Sequence, residues 1–314
     1  MTAKSVIAPG TRRARSGQAG LVRRALDSEQ FNGWAFVTPG AAIILLFGAV
    51  PIVWSAVMSF QKSSLAGSTP FVGLSNYRRM VHDPIVAQAI QHTLIYAVLF
   101  VPGTMITGLF LAVAMNRKIR GIAIYRTAAY ATMAISTISE AIVFIWLFDP
   151  SYGIVNYAFS KVGIPQQQFL NSPSEALYVI VAMTIWGWTG FAVVIYLAAL
   201  QGVPQSLLEA AAIDGAGPWR TFRKVTLPML SPASLFLAVW LTINALQLFD
   251  EVYLSTQGGP LNATTVLVYY LYDQAFTNFN FGYASAIAYF LFLVIIVITV
   301  IQFRVGRRFT YYRS

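Results

Sequence analysis

Cysteine is absent from the 314 residues, and histidine occurs only twice, as His82 and His92. The first absence removes disulfides, thiol nucleophiles and cysteine-based metal sites; the second leaves too little imidazole for a histidine cluster. Charge is scarce as well, with Asp, Glu, Lys and Arg making up 10% of the chain against 57% hydrophobic residues. A water-soluble domain carries about 25% charged residues, so this composition, with a mean hydropathy of +0.64, implies lipid as the solvent. The G-x-x-x-x-G-K-[ST] pattern that cradles nucleotide phosphates is also missing. Any nucleotide hydrolysis must therefore come from another chain.

What the chain has in abundance is long apolar runs. Each approaches the roughly 20 residues a helix needs to cross a bilayer core, and none alternates at the period of two that a barrel strand requires. Six spans are predicted, over residues 34–60, 87–115, 122–148, 176–200, 231–254 and 282–303. This divides the chain into a basic tail (1–33), a first transmembrane helix (34–60), a transport domain (87–305) with a five-helix core and a loop at 201–230, and a carboxyl tail (306–314). The apolar run behind Arg23 and Arg24 is too long for a signal-peptide core, so it is read as an uncleaved first span.

The net charge of +10 belongs to topology and not to nucleic acid, because the basic residues flank the apolar runs. If the spans alternate, all but Lys62, Arg78, Arg79 and Lys161 of the 21 lysines and arginines fall on one side. By the positive-inside rule that side, with both termini, is cytoplasmic. Arg304, Arg307 and Arg308 then anchor the last span at the inner surface, with Tyr311 and Tyr312 at the interface.

The least lipid-like stretch on the cytoplasmic side is 201–230. Pro204, Gln205 and Ser206 suit a helix start, with Ser206 capping and Glu209 completing a capping box. Ala210, Ala211 and Ala212 clear one surface for close approach by another backbone, and Asp214-Gly215 ends the helix. Pro218 opens a second helix with Trp219, Phe222 and Val225 on one face and Arg220, Arg223 and Lys224 on the other; Pro228 is expected to stop it. On these residues alone the segment is either an amphipathic connector on the membrane surface or a contact offered to a partner.

Glu209-Ala210-Ala211, Gly215, Val225 and Leu227-Pro228 resemble the EAA loop of binding-protein-dependent ABC importer permeases, with Val225 standing where isoleucine is commoner. The resemblance implies an all-α integral membrane protein with six transmembrane helices in the type I ABC importer (MetI-like) permease fold. It implies a coupling helix that docks in a cleft of an ATPase subunit through Glu209, Ala210, Ala211, Asp214, Gly215 and Ala216. It also implies the company of a second homologous permease, two ATPase subunits (or a homodimer) that bind ATP and Mg, and an extracytoplasmic solute-binding protein. The chain itself would hold no cofactor, catalyse nothing and reside in a bacterial inner membrane.

Three further stretches resemble the larger-type permease of maltose-like systems: Phe71-Val72-Gly73-Leu74 with Asn76-Tyr77, Gly258-Gly259-Pro260, and Gly282-Tyr283-Ala284-Ser285-Ala286. Gly258, Gly259 and Pro260 read by composition as an extracellular turn, and by resemblance as a docking loop for the binding protein. Tyr269, Tyr270, Tyr272, Phe276 and Phe279 read as an aromatic belt at the outer interface.

Polar groups within spans are costly and mark candidate pathways. Glu140 in the third span must pair, protonate or face water. Asn244 and Gln247, one turn apart in the fifth, suit hydroxyl groups or interhelical bonding. Trp186, Trp188 and Phe191 in the fourth face lipid or stack on sugar rings. By resemblance, solute contacts of maltose-type permeases fall on Gly187, Trp188, Phe191, Leu241, Ala245 and Leu248; the three fifth-span positions are apolar here, which speaks against maltose itself. Asp250 and Glu251 are expected on a solvated rim. By the resemblance, the expected solute is a neutral sugar or oligosaccharide, with a polyol or glycerol-phosphate-type solute on the same scaffold as the alternative and an ion-coupled secondary carrier as a more distant one. A phosphate would call for buried Arg or Lys, and the spans offer only Arg126.

Overall fold

A computed structural model describes residues 29–63, 69–117 and 120–309. Most of the basic amino-terminal tail, and Tyr311 and Tyr312 of the carboxyl tail, lie outside the described residues. The chain divides into two compact units, 1–57 and 58–314.

In the first unit helix α1 (Glu29–Ile44) runs through a π turn (Leu45–Ala49) into α2 (Val50–Ser59), and residues 33–59 are long and apolar enough to cross a membrane. The π turn ends two residues before Pro51, whose ring would collide with the carbonyl four residues back in a regular helix.

Among its described residues the regular secondary structure of the second unit is helical, apart from one isolated bridge between Gln61 and Phe71. Its elements are α3 (Ser75–His82), α4 (Pro84–Met115), α5 (Ile122–Ala134), α6 (Thr137–Leu147), α7 (Ile154–Lys161), α8 (Ala176–Gln201), α9 (Gln205–Ile213), α10 (Pro218–Thr221), α11 (Leu227–Met229), α12 (Ser231–Leu246), α13 (Asp250–Ser255), α14 (Leu267–Tyr272) and α15 (Phe281–Phe309). The closest partners are α4 and α8; α12 packs on α4, α5 on α8, and α13 on α6. Since lipid is as apolar as leucine, van der Waals fit holds these helices together. At Gly108 a Cβ would lie 2.4 Å from that of Ala192, so the glycine is what lets α4 and α8 touch. Tyr96, Phe100, Ile180, Tyr196 and Leu237 fill the core around that crossing.

Two predicted spans and one predicted helix stop need correction. The third is not one helix: α5 and α6 meet at 102°, because Ile135 and Ser136 are extended and Ser136 Oγ accepts from the Ile138 amide at 3.3 Å, starting α6 anew. The fifth ends at Leu246, with Phe249 turned out of helical geometry before α13. Pro228 does not stop the helix before it. A π turn (Phe222–Thr226) absorbs the proline and the chain runs on to Met229, with the 62° change of direction falling at Leu230.

The aromatic belt is corrected as well. Tyr270 is buried, and its hydroxyl donates to Asp83 Oδ2 at 2.7 Å, as does that of Tyr283. Asp83 Oδ1 caps α4 through the Ile85 amide at 2.9 Å, and the Arg79 guanidinium lies 4.1 Å from the Tyr283 ring centre. One carboxylate thus joins α4, α14 and α15. Burial pushes the Asp83 carboxyl up, but the Tyr283 and Tyr270 hydroxyls and the amides of Ile85 and Val86 outweigh it and hold the carboxyl below its ordinary value of 3.8.

The short motifs also acquire structural roles. Asn76 Nδ2 donates to the carbonyls of Ser59 (2.8 Å) and Gln61 (3.0 Å), and Tyr77 donates to Ser59 Oγ at 2.8 Å. Gly282 lets α15 pass the Gln61 carbonyl so closely that a Cβ would lie 2.0 Å from it.

Candidate functional site

The loop between α8 and α12 carries the first group of predicted residues. Helix α9 ends in a Schellman closure: the Ala216 amide bonds the Ala211 carbonyl at 2.9 Å and the Gly215 amide that of Ala212 at 3.0 Å, with Gly215 at φ +72°. A side chain at Gly215 would meet open space, so backbone conformation alone demands glycine there. Glu209, Ala210, Asp214 and Gly215 are exposed, and Ala211 and Ala216 are half-buried. The capping box is a correction: Pro204 occupies the N-cap position, leaving Ser206 inside the first turn with no cap bond to make. Helix α9 leans on α10 and the π turn behind it, and Trp219, 72% exposed, stacks on Phe222 at 5.8 Å.

The second group surrounds the break in the third span. A cavity of about 330 Å³ is lined by Thr132, Met133, Ile135, Thr137, Glu140, Gly187, Trp188, Phe191 and Trp240. A second, of about 180 Å³, shares Thr137 and Trp188 with it and continues past Tyr96, Asn244, Gln247, Leu248, Asp250 and Glu251. The two together place aromatic plates beside amides and carboxylates, and neither lining includes Lys, Arg or His. Trp188 and Phe191 meet edge to face at 5.8 Å, and Phe191 lies 6.1 Å from Trp240, so the apolar wall is continuous.

Glu140 sits in the first turn of α6 and is buried, its carboxylate lying over the bare Cα of Gly187, where a Cβ would come within 2.5 Å of both oxygens. Helix α8 thus contributes a gap sized for this side chain. Asn244 and Gln247 line the second cavity, but Asn244 Nδ2 is engaged with the Trp240 carbonyl at 2.8 Å.

Not every predicted contact faces the cavity. Leu241 and Ala245 are fully buried in the core, and Leu248 alone of the three apolar positions reaches the wall. Trp186 turns away and packs on Phe144 at 5.5 Å. Glu251 is corrected in the other direction. Half-buried, it lines the second cavity instead of a solvated rim, because the break after Leu246 swings α13 back against α6. Thr137, Met133 and Trp240 escaped the sequence reading. The one signal available was Thr137-x-x-Glu140, a helix-start pattern inside an apolar run.

The loop from Gly258 is knitted tightly. Thr264 Oγ1 donates to the Gly259 carbonyl at 2.8 Å and Thr265 Oγ1 to that of Gly258 at 3.1 Å, and the Gly259–Pro260 peptide is cis. Gly258 is buried and Gly259 and Pro260 are half-buried, so the exposed tip is Leu261 (85%) and Asn262. The loop is tied to α4 by the Leu267 amide on Thr93 Oγ1 at 3.1 Å. Among the described residues no group of three or more His, Cys, Asp or Glu could hold a metal.

Comparison with known proteins bears on the chain as a whole. The profile of the family described as binding-protein-dependent transport system inner membrane component matches residues 104–311. A lactose transport system permease protein of Rhizobium radiobacter is 38% identical over 250 residues, covering 78% of this chain and 83% of the relative. An sn-glycerol-3-phosphate transport system permease protein of Yersinia pestis is 36% identical over 273 residues, covering 87% and 92%. Among solved structures, a chain of the bacterial ABC transporter involved in the import of the acidic polysaccharide alginate superposes with a TM-score of 0.81 at 24% identity, covering 93% of this chain and 99% of that one. The MetNI methionine ABC transporter gives 0.53 at 20%, covering 72% and 97%. At these identities the structural likeness speaks for fold: the architecture is the all-helical one of ABC importer permeases.

Proposed function

The chain belongs to the family of inner-membrane components of binding-protein-dependent transport systems, and from that membership we propose that it conducts a neutral sugar or oligosaccharide inward by alternating access. It is a permease subunit and not an enzyme, and ATP is hydrolysed on a separate subunit. The observation that carries the carbohydrate reading is the joined cavity at the α5–α6 break, where Trp188 and Phe191 offer faces for sugar rings and Asn244, Gln247 and Glu140 offer hydrogen-bonding groups for hydroxyls. The lactose permease relative supports the same solute class.

In this reading α9 is the handle. ATP-bound closure of two ATPase subunits, which carry the ATP and Mg, draws Glu209, Ala210, Ala211, Asp214, Gly215 and Ala216 toward their counterparts on a second homologous permease. The rigid α9–α10 corner passes that motion to α8 and α12, and the cavity opens outward to receive solute from an extracytoplasmic binding protein, which docks near Gly258, Gly259 and Pro260 through the exposed Leu261 and Asn262. Both termini face the cytoplasm of a bacterial cell. A second reading, a glycerol-phosphate-type solute, is favoured by the Yersinia pestis relative; the lack of any basic side chain on the cavity walls weighs against it.

The test is solute-stimulated ATP hydrolysis and uptake by the reconstituted complex over a panel of lactose, raffinose, glycerol and sn-glycerol 3-phosphate. Stimulation by a sugar is expected; stimulation by the phosphate ester alone establishes the second reading, and transport by the purified chain without an ATPase overturns both.

A further inference from the structure

Glu140 presents a hydrogen-bonding deficit that the protein leaves unfilled. The residue is only 7% exposed, and its Oε1 has no hydrogen-bond partner among the described residues. Of the neighbouring donors, Thr132 Oγ1 is committed to the Ala129 carbonyl at 3.0 Å, and Asn244 Nδ2, on the adjoining cavity, to that of Trp240 at 2.8 Å. Burial of a carboxylate oxygen without a donor is costly, and no lysine, arginine or histidine stands on either wall to offset it. Yet the fold accommodates the group with care. The break at Ile135–Ser136 delivers it into the cavity, and Gly187 keeps clear the space that any other residue's Cβ would take. Such a carboxylate is completed by donors arriving from outside, and the cavity beyond it is lined by Trp188 and Phe191.

We propose that Glu140, seated against Gly187, is the specificity-determining acceptor of this permease: it takes hydroxyl hydrogens from an uncharged, polyhydroxylated solute lying on Trp188 and Phe191, and with Glu251 on the adjoining wall it rejects anionic analogues. This rests on the carbohydrate reading and adds to it a residue and a charge rule. A charge-assisted acceptor is about twice as strong as a neutral one, and two carboxylates repel a phosphate that no cation compensates.

The experiment compares wild type, Glu140→Gln and Gly187→Ala, each reconstituted with its partner subunits and binding protein, for uptake of lactose, raffinose, glucosamine and sn-glycerol 3-phosphate. Wild type is expected to favour a neutral sugar. Glu140→Gln, which keeps the volume and removes the charge, should raise the apparent KM for that sugar about tenfold and narrow its preference over sn-glycerol 3-phosphate. Gly187→Ala, which displaces the carboxylate without altering it, should shift the same ratio in the same direction, whereas a merely structural role would lower all rates and leave the ratio alone. Purification of the intact complex separates either result from misassembly, and failure of one variant to assemble leaves the other as the test. An unchanged ratio in an assembled variant overturns the proposal while leaving the carbohydrate reading intact. So does a wild type that prefers glucosamine. A wild type that prefers sn-glycerol 3-phosphate, or is silent to every probe, overturns both.

Discussion

Between Pro204 and Gly217 most side chains are exposed, and the segment holds its shape through local backbone bonds such as the closure at Gly215. Around Glu140 the opposite holds: the geometry comes from contacts between elements far apart in sequence, with Gly187 on α8, Thr137 on α6 and Trp240 on α12 meeting at one place. A locally determined handle can be changed without disturbing the body that carries it. A cavity defined by packing is harder to separate, because Trp188 and Phe191 on its wall also pack against the core. The two regions should therefore separate under mutation into positions that move transport alone and positions that move stability as well.

The largest expected effect lies in the body. Gly108→Leu forces a side chain into a gap where even a Cβ would lie 2.4 Å from that of Ala192, and overpacking with no room to relax destabilises strongly. Loss of folded protein from the membrane is expected on immunoblotting, and normal levels would mean that α4 and α8 separate without penalty. Next comes the handle. Gly215→Asp should leave membrane levels, complex assembly and the melting midpoint unchanged, since aspartate is among the few side chains that visit αL geometry, while reducing uptake by at least about tenfold, because its carboxylate would fall on the proposed docking surface. A lowered midpoint would break the distinction between the two regions; undiminished uptake would remove the handle.

Asp83→Ala is expected to be intermediate, because charge-assisted bonds contribute about 1.5–3 kcal/mol each when buried and Asp83 is only half-buried. A fall of several degrees in the detergent-solubilised complex should accompany it. The pH dependence has a definite sign. The folded carboxyl is held below its ordinary 3.8, so its contribution is fully present above that pH and is lost as pH falls through the depressed folded value. The gap between wild type and Asp83→Ala should stay constant from pH 5 to 8, on the order of the range where Asp is ionised, and close below about pH 4. A gap that widens on acidification would refute the assignment. The smallest effect belongs to Thr93→Val, which removes the acceptor of the Leu267 amide at a cost of about 1 kcal/mol, read as a slight drop in midpoint with the loop from Gly258 more open to proteolysis.

Helix α9 was readable before folding because its information is local. Glu209, the alanine run and Asp214-Gly215 specify a short helix and its end within ten or so consecutive positions, whatever surrounds them. Even there one detail failed: Pro204 took the cap expected of Ser206, since proline's fixed φ already suits the entry to the helix. In the cavity the individual residues were named, Glu140, Trp188, Phe191, Asn244 and Gln247 among them, but not which faced inward. Leu241 and Ala245 are as good by spacing as Leu248, and only the crossing of α4, α8 and α12 sends the first two into the core and the third to the wall.

From its own order of residues the chain determined a lipid environment, the positions of its apolar runs and the closure at Gly215, because hydropathy and glycine's conformational freedom act over a few turns without reference to distant partners. Tertiary structure alone decided that the third span bends by 102° at Ser136, that Glu251 turns inward, and that Gly187 stands opposite Glu140. A side chain's exposure depends on which helix lies across from it, and that is set by the fit of whole surfaces, which no local window of sequence contains.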